Sequence, residues 1–216
     1  MSKELFGNLS LISSIAVILP LFLALWKYRR LQAVQQKLLY LLVTIFIIEA
    51  IANVLWLQKE NNLPVYNVYS ILEFLLIINI YKDALKRLFS KHFFAVLAVA
   101  FTLFAIVNMC FIQNIKTFNS NVTTTLSFIV IFLSLSYFYA LLQEEIYSPL
   151  DKKPLFWINA GFLIYFSSNL ILFFINNSMF TKPDEVSHLV WGLHAIVNII
   201  LMLFFTIAVW IHPNQR

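Results

Sequence analysis

Charge, glycine and cysteine are all scarce in this chain, and each scarcity closes off a class of protein. Charged residues make up 12% of the 216 positions and apolar ones 61%, against about 25% charged in an ordinary soluble domain. No soluble core could bury that much apolar surface. Cys110 is the only cysteine, so an intramolecular disulfide and a thiolate metal site are both excluded. The three glycines, Gly7, Gly161 and Gly192, form no GxxxG helix-packing motif. Pro20 is the only proline well inside an apolar run, which leaves few of the helix breaks that alternating-access transporters use. No lysine occurs between Val186 and Ile211; without a Schiff-base lysine in the last apolar run, retinal chemistry is excluded.

What remains is apolar runs long enough to cross a bilayer, which takes about 20 helical residues. They predict seven transmembrane helices at Leu9–Trp26, Leu38–Leu57, Val65–Tyr81, Phe93–Ile112, Val122–Leu142, Leu155–Ile175 and Val186–Ile211. The fold class expected is an all-α membrane protein, a single seven-helix bundle over the whole chain, with linkers too short for a soluble catalytic or DNA-binding domain. The runs neither alternate nor have the length of barrel strands. Pro64, Pro154 and Pro183 stand where spans begin, positions at which the missing N–H costs nothing. Asp184 and Glu185 then complement the positive end of the last helix. The first span is longer than a signal-peptide core and runs directly into Lys27, Tyr28, Arg29 and Arg30 without a small-residue cleavage site. It is therefore expected to stay in the mature protein.

Lysine and arginine alternate between linkers. Lys27, Arg29, Arg30, Lys37, Lys82, Lys86, Arg87, Lys91, Lys152, Lys153 and Arg216 fall on one side, and Lys3, Lys59, Lys116 and Lys182 on the other. The positive-inside rule places the first set in the cytoplasm, which predicts an outside amino terminus and a cytoplasmic carboxyl terminus. The net charge of +5 thus matches lipid headgroups and topology, and nucleic acid is not an expected partner. Trp26, Tyr40, Trp56, Tyr66, Tyr81, Trp157 and Trp210 lie near span ends, where interfacial belts are expected. Abundant Lys, Asn, Ile and Phe point to an AT-rich bacterial source, hence a bacterial cytoplasmic membrane.

Of all the charged side chains only Glu49 and Glu73 fall inside these spans. A carboxylate at bilayer depth costs several kcal/mol unless protonated, paired or wet, so such residues mark ligand, ion or proton sites. Counted from span ends at about 1.5 Å per residue, both lie roughly 12 Å below the outer surface. Asn108, Asn169 and His194 fall in the same outer half. Helical spacing groups Glu49, Asn53 and Trp56; Tyr66, Tyr69 and Glu73; Tyr165 and Asn169; and Trp191, His194 and Asn198. These stripes predict an outward-opening polar pocket lined by Glu49, Asn53, Tyr69, Glu73, Tyr165, Asn169, Trp191, His194 and Asn198, in which Glu73 and His194 could pair. The plainer reading, that Asn53, Asn108, Asn198, Ser127 and Ser134 are interhelical glue, stands beside it.

Enzymatic and metal chemistry find little support. No aspartate lies inside a span, and no HExxH occurs. His92 and His212 fall at the inner face, while His188 and His194 do not share a helical stripe. Ser167 or Ser168 working with His194, or the two glutamates acting as a hydrolytic pair, are the remaining options for an enzyme. No catalytic residue, metal or cofactor is assigned.

Glu49 and Asn53 are spaced as Tyr165 and Asn169 are, and Glu73 and His194 take equivalent depths on the helices that follow. With the fourth span as linker and Pro20 as a helix break, this three-plus-one-plus-three layout resembles the SWEET-type sugar transporters. Their proline–glutamine motif is missing, and no residue role is carried across. The topology also resembles the seven-helix sensory modules that accompany bacterial signalling kinases. The leading expectation is a receptor-like or sensory module that takes a small polar or cationic ligand, or protons, and signals through a separate cytoplasmic or membrane partner. A small-solute or proton-coupled transporter is the alternative, and a structural membrane subunit the third. Glu73→Gln is expected to alter ligand response or pH dependence while leaving folding intact. Unchanged activity across pH in that variant would remove Glu73 from the site.

Overall fold

Runs of Leu, Ile, Val and Phe without interior charge can satisfy their backbone in hydrocarbon through the intrahelical ladder, and helices are what form. The computed structural model describes the backbone of residues 3–144, 149–178 and 183–211, and side chains within 7–144, 149–172 and 189–211. Its helices are α1 (Lys3–Ile15), α2 (Ile18–Trp26), α3 (Ala33–Leu57), α4 (Leu63–Ala84), α5 (Lys91–Val107), α6 (Ser120–Leu142), α7 (Pro154–Ser178) and α8 (Pro183–Trp210). No strand occurs among the described residues. Seven spans are long and apolar enough to cross a membrane, with α1 and α2 together forming the first. Lys182, His212 and Arg216 lie outside the described residues, as do the side chains of Lys3, Asp184, Glu185 and His188.

Local chemistry accounts for the ends. The first span breaks between Ile15 and Ile18, because Pro20 has no N–H for the carbonyl four residues earlier. α3 starts five residues before the predicted Leu38, since Gln32 N–H donates to Gln35 Oε1 at 2.8 Å and caps the added turn. Ser90 Oγ caps α5 by accepting from Phe93 N–H at 3.3 Å. α5 then runs into a π-helical turn, Asn108–Ile112, of the kind that turns a side chain off the regular stripe.

α8 packs most extensively on α7 and also on α1 and α2, while α6 backs α7, α3 lies against α2 and α4, and α4 touches α5 and α6. The helices thus form a ring, with α5 on its outside: only 17% of the fourth span is buried, against 39% of each of the last two. Close approach of α7 and α8 needs Gly161, where a Cβ would meet Phe204 Cβ at 3.0 Å and Leu201 Cδ1 at 3.1 Å. Phe162 and Phe205 fill the seam edge to face at 5.5 Å.

The interior at the basic end is held by polar contacts. Tyr81, 0% exposed, donates its hydroxyl to Asn159 Oδ1 at 2.6 Å and lies 2.8 Å from Ser134 Oγ, joining α4, α6 and α7. Tyr81 is therefore not interfacial, which corrects the sequence expectation: the ring faces inward, and burial there requires a partner for its hydroxyl. Trp26, Tyr40, Trp56 and Trp210 are exposed near span ends. Gln35 Nε2 donates to Ala208 O at 2.8 Å and Ile211 O at 3.0 Å, and so caps α8. Lys27 donates to Trp210 O at 3.1 Å and sits 3.8 Å over that ring; burial, and then the Arg30 charge, lower its pKa. Lys37 pairs with Asp83 and also donates to Asn79 O at 2.6 Å, while Lys153 pairs with Glu144.

Tyr81→Phe removes the hydroxyl and leaves Asn159 Oδ1 without its donor in a dry interior. It should destabilise the bundle by about 1–3 kcal/mol, read as a lower unfolding temperature in detergent. Trp26→Phe, at an exposed site, should stay within about 0.5 kcal/mol.

Candidate functional site

Both intramembrane glutamates are half-buried and each meets a tyrosine of α4. The Tyr66 hydroxyl lies 3.4 Å from both oxygens of Glu49, so it links α3 to α4. Tyr69, one helical turn before Glu73, donates to its Oε1 at 3.2 Å. Phenols suit this place because each buries a large ring while its hydroxyl answers the carboxyl.

The other half of the cluster comes from α7 and α8. Asn169 is 2% exposed, and its Oδ1 lies 2.8 Å from His194 Nδ1. An amide oxygen only accepts, so Nδ1 carries a proton and donates to it. Asn169 also reaches the Tyr165 hydroxyl. Around His194, the ring of Tyr165 stands at 5.8 Å and that of Trp191 at 5.7 Å. Tyr165 lies within electrostatic range of Glu73, Glu49 and Tyr66, and Tyr69 within range of Tyr165 and Glu49. Four helices thus bring Glu49, Tyr66, Tyr69, Glu73, Tyr165, Asn169, Trp191 and His194 into one neighbourhood.

Three expectations change. The glutamates do not share a depth. Asn62 Nδ2 reaches Ala52 O at 3.5 Å and Tyr66 reaches Glu49, so α4 begins level with Ala52, short of the end of α3. Glu73, seven residues beyond Tyr66, therefore lies about 10 Å deeper than Glu49. The Tyr81–Asn159 tie gives the level of the other half: Glu73 is eight residues from Tyr81 and Asn169 ten from Asn159, a difference of about 3 Å. Glu73, Asn169 and His194 do share a level. Second, Glu73 and His194 take different partners, Tyr69 and Asn169; both ion pairs among the described residues are at the basic end. Third, Asn198 faces α1, where its Nδ2 donates to Ser13 O at 3.2 Å and Ser13 Oγ at 2.9 Å. Asn53 sits half-buried one turn from Glu49. Ser127 and Ser167 bond carbonyls of their own helices, and Ser134 joins Tyr81.

Composition did not single out the roof of this region. Asn67 is 4% exposed, and its Nδ2 donates to Ile115 O at 2.6 Å and Thr117 O at 3.0 Å. Asn61 Nδ2 donates to Lys116 O at 2.7 Å. Asn108 donates to Asn119 Oδ1 and to Gln113 Oε1 and accepts from Asn121 Nδ2. Asn119 is fully buried, and its Nδ2 has no hydrogen-bond partner among the described residues. The run of Asn and Gln from 108 to 121 was the available signal, and it reads as an ordinary polar linker.

Among the described residues are two surface grooves of about 410 and 220 Å³. One is lined by residues of the first span and α8, such as Phe22 and Leu203, and the other by residues of α4 and α5, such as Leu75 and Val99. Neither includes a member of the polar cluster. Chemically, the cluster offers two carboxyls answered by phenols and an imidazole held by Asn169, a set that can hold a proton or a cation. Among the described residues no three His, Cys, Asp or Glu gather as a metal set.

A double-mutant cycle over Asn169→Ala and His194→Phe should return about 0.6–1.7 kcal/mol of coupling in detergent unfolding, the range found for interhelical hydrogen bonds in membranes. Zero coupling would mean that the contact does not form. Neither a family model, nor a curated protein, nor a solved structure matches this chain.

Proposed function

We propose that this chain is a receptor-like or sensory multi-pass membrane protein, with its amino terminus outside, its basic end in the cytoplasm and its acidic cluster in the outer half of a bacterial cytoplasmic membrane. The cluster binds a small polar or cationic ligand, or protons, and the signal passes to a separate partner at the membrane or in the cytoplasm. The observation that carries this reading is the gathering of Glu73, Tyr165, Asn169 and His194 at one level on three helices, with Glu49 above them and, among the described residues, no lysine or arginine paired to either acid. Intramembrane acids left without a basic partner need a proton or a cation from elsewhere. Supporting a sensor, Phe74, Phe101, Phe162, Phe166 and Phe205 are all buried in the core of the bundle, and close-packed cores hold discrete arrangements better than continuous deformation.

A transporter is the second reading. The break in the first span at Pro20 and the peripheral placement of the fourth span favour it, since broken helices and a linker helix belong to repeat-built carriers.

The purified protein in proteoliposomes separates the two. Saturable binding of a labelled organic cation, or proton uptake, without flux and abolished by Glu73→Gln supports the sensor. Flux by the protein alone supports the carrier, and neither binding nor flux with any small cation overturns both.

A further inference from the structure

The connection between α5 and α6, residues 113–119, is neither short nor slack. On one side it is tied to α4 through Asn67 and to the turn before α4 through Asn61, which together hold three consecutive carbonyls, those of Ile115, Lys116 and Thr117, at 2.6–3.0 Å. Within the segment Asn114 closes a tight turn onto Lys116 and Thr117. At its two ends Asn108 and Gln113 cross-link the π-helical turn to Asn119 and Ser120. On its other side the segment carries Phe118, half-buried although flanked by Thr117 and Asn119. That ring meets Trp191 of α8 edge to face at 5.6 Å, and Trp191 in turn meets His194.

In the ring of helices α4 and α8 are separated by α3 on one side and by α6 and α7 on the other. A segment held by α4 and seated on α8 must therefore cross the end of the ring. Its anchors lie beside the cluster: Asn67 follows Tyr66, the partner of Glu49, and Trp191 is one turn from His194. We propose that residues 113–119 form a strap over the acidic cluster, with Phe118 as the plug between strap and Trp191, and that lifting this strap widens the access of solutes to Glu49 and Glu73. Hydrogen bonds from Asn61 and Asn67 and the contact of Phe118 with Trp191 are among the ties that hold it down, and none of these is part of a helix's own backbone ladder. Because the tethers are made to backbone carbonyls, they survive changes in the strap's own side chains.

The proposal takes the cluster as the working site, but its test reads access and not ligand response. A strap over carboxyls that bind nothing would still be detected. The folded protein in detergent is treated with a water-soluble carbodiimide and glycine ethyl ester, and peptide masses give the modification rates of Glu49, Glu73 and exposed Glu60. In the unaltered chain Glu49 and Glu73 should react far more slowly than Glu60. Phe118→Ala, and independently the surface variant Asn61→Ala, should each raise their rates by about ten-fold, the factor expected for losing one such interaction, with Glu60 unchanged. Should Phe118→Ala fail to fold, Asn61→Ala carries the test. Glu49 reacting as fast as Glu60 in the unaltered chain, or rates unmoved in every variant that folds, would overturn the strap.

Discussion

Inside hydrocarbon no water is present to receive a polar group, so each one must be answered within the protein. That constraint arranges this bundle more than its apolar packing does. Apolar surface is as comfortable against lipid as against another helix, and it fixes neither register nor rotation. The polar contacts do: Tyr66 with Glu49 and Asn62 with Ala52 set α3 against α4, Tyr81 with Ser134 and Asn159 sets α4 against α6 and α7, and Asn169 with His194 sets α7 against α8.

Chain-level hydropathy made the seven spans legible because the signal is long and strong, and the described helices agree with the expected ones to within a few residues at most ends. The acids, the imidazole and Asn169 were legible too, since they are conspicuous in such surroundings. What could not be read was partnership. Depth counted from span ends assumes that neighbouring helices begin level, and α3 overshoots the start of α4, which displaced Glu73 from Glu49. Spacing places Asn198 on the stripe of His194 but cannot say that α1 lies beside it, with Ser13 as partner. Tyr81 stands at a span end and so reads as interfacial, yet α4 continues to Ala84 and carries it inside.

The two ends of the molecule are secured by different chemistry. At the basic end, Lys37 with Asp83, Lys153 with Glu144 and Lys27 over Trp210 use charge, which salt weakens where the pair is exposed. At the opposite end, carboxamides of Asn61, Asn67, Asn108 and Gln113 hold backbone and one another, and neutral amides respond little to ionic strength or pH. The end that carries the acidic cluster is thus the one whose framework changes in the surrounding solution disturb least.

Gln35 also bears on how the protein is made. Its amide oxygen starts α3 while its nitrogen closes the last turn of α8, and Asn198 similarly brings α8 to Ser13 on α1. Domains emerge from the ribosome from the amino end onward, so the helices bearing Ser13 and Gln35 enter the bilayer long before their counterpart is synthesised. Until α8 arrives, those two side chains face lipid or a translocation factor. The ring is closed by its final helix, and the early helices wait in an unfinished state for the whole interval of synthesis between them.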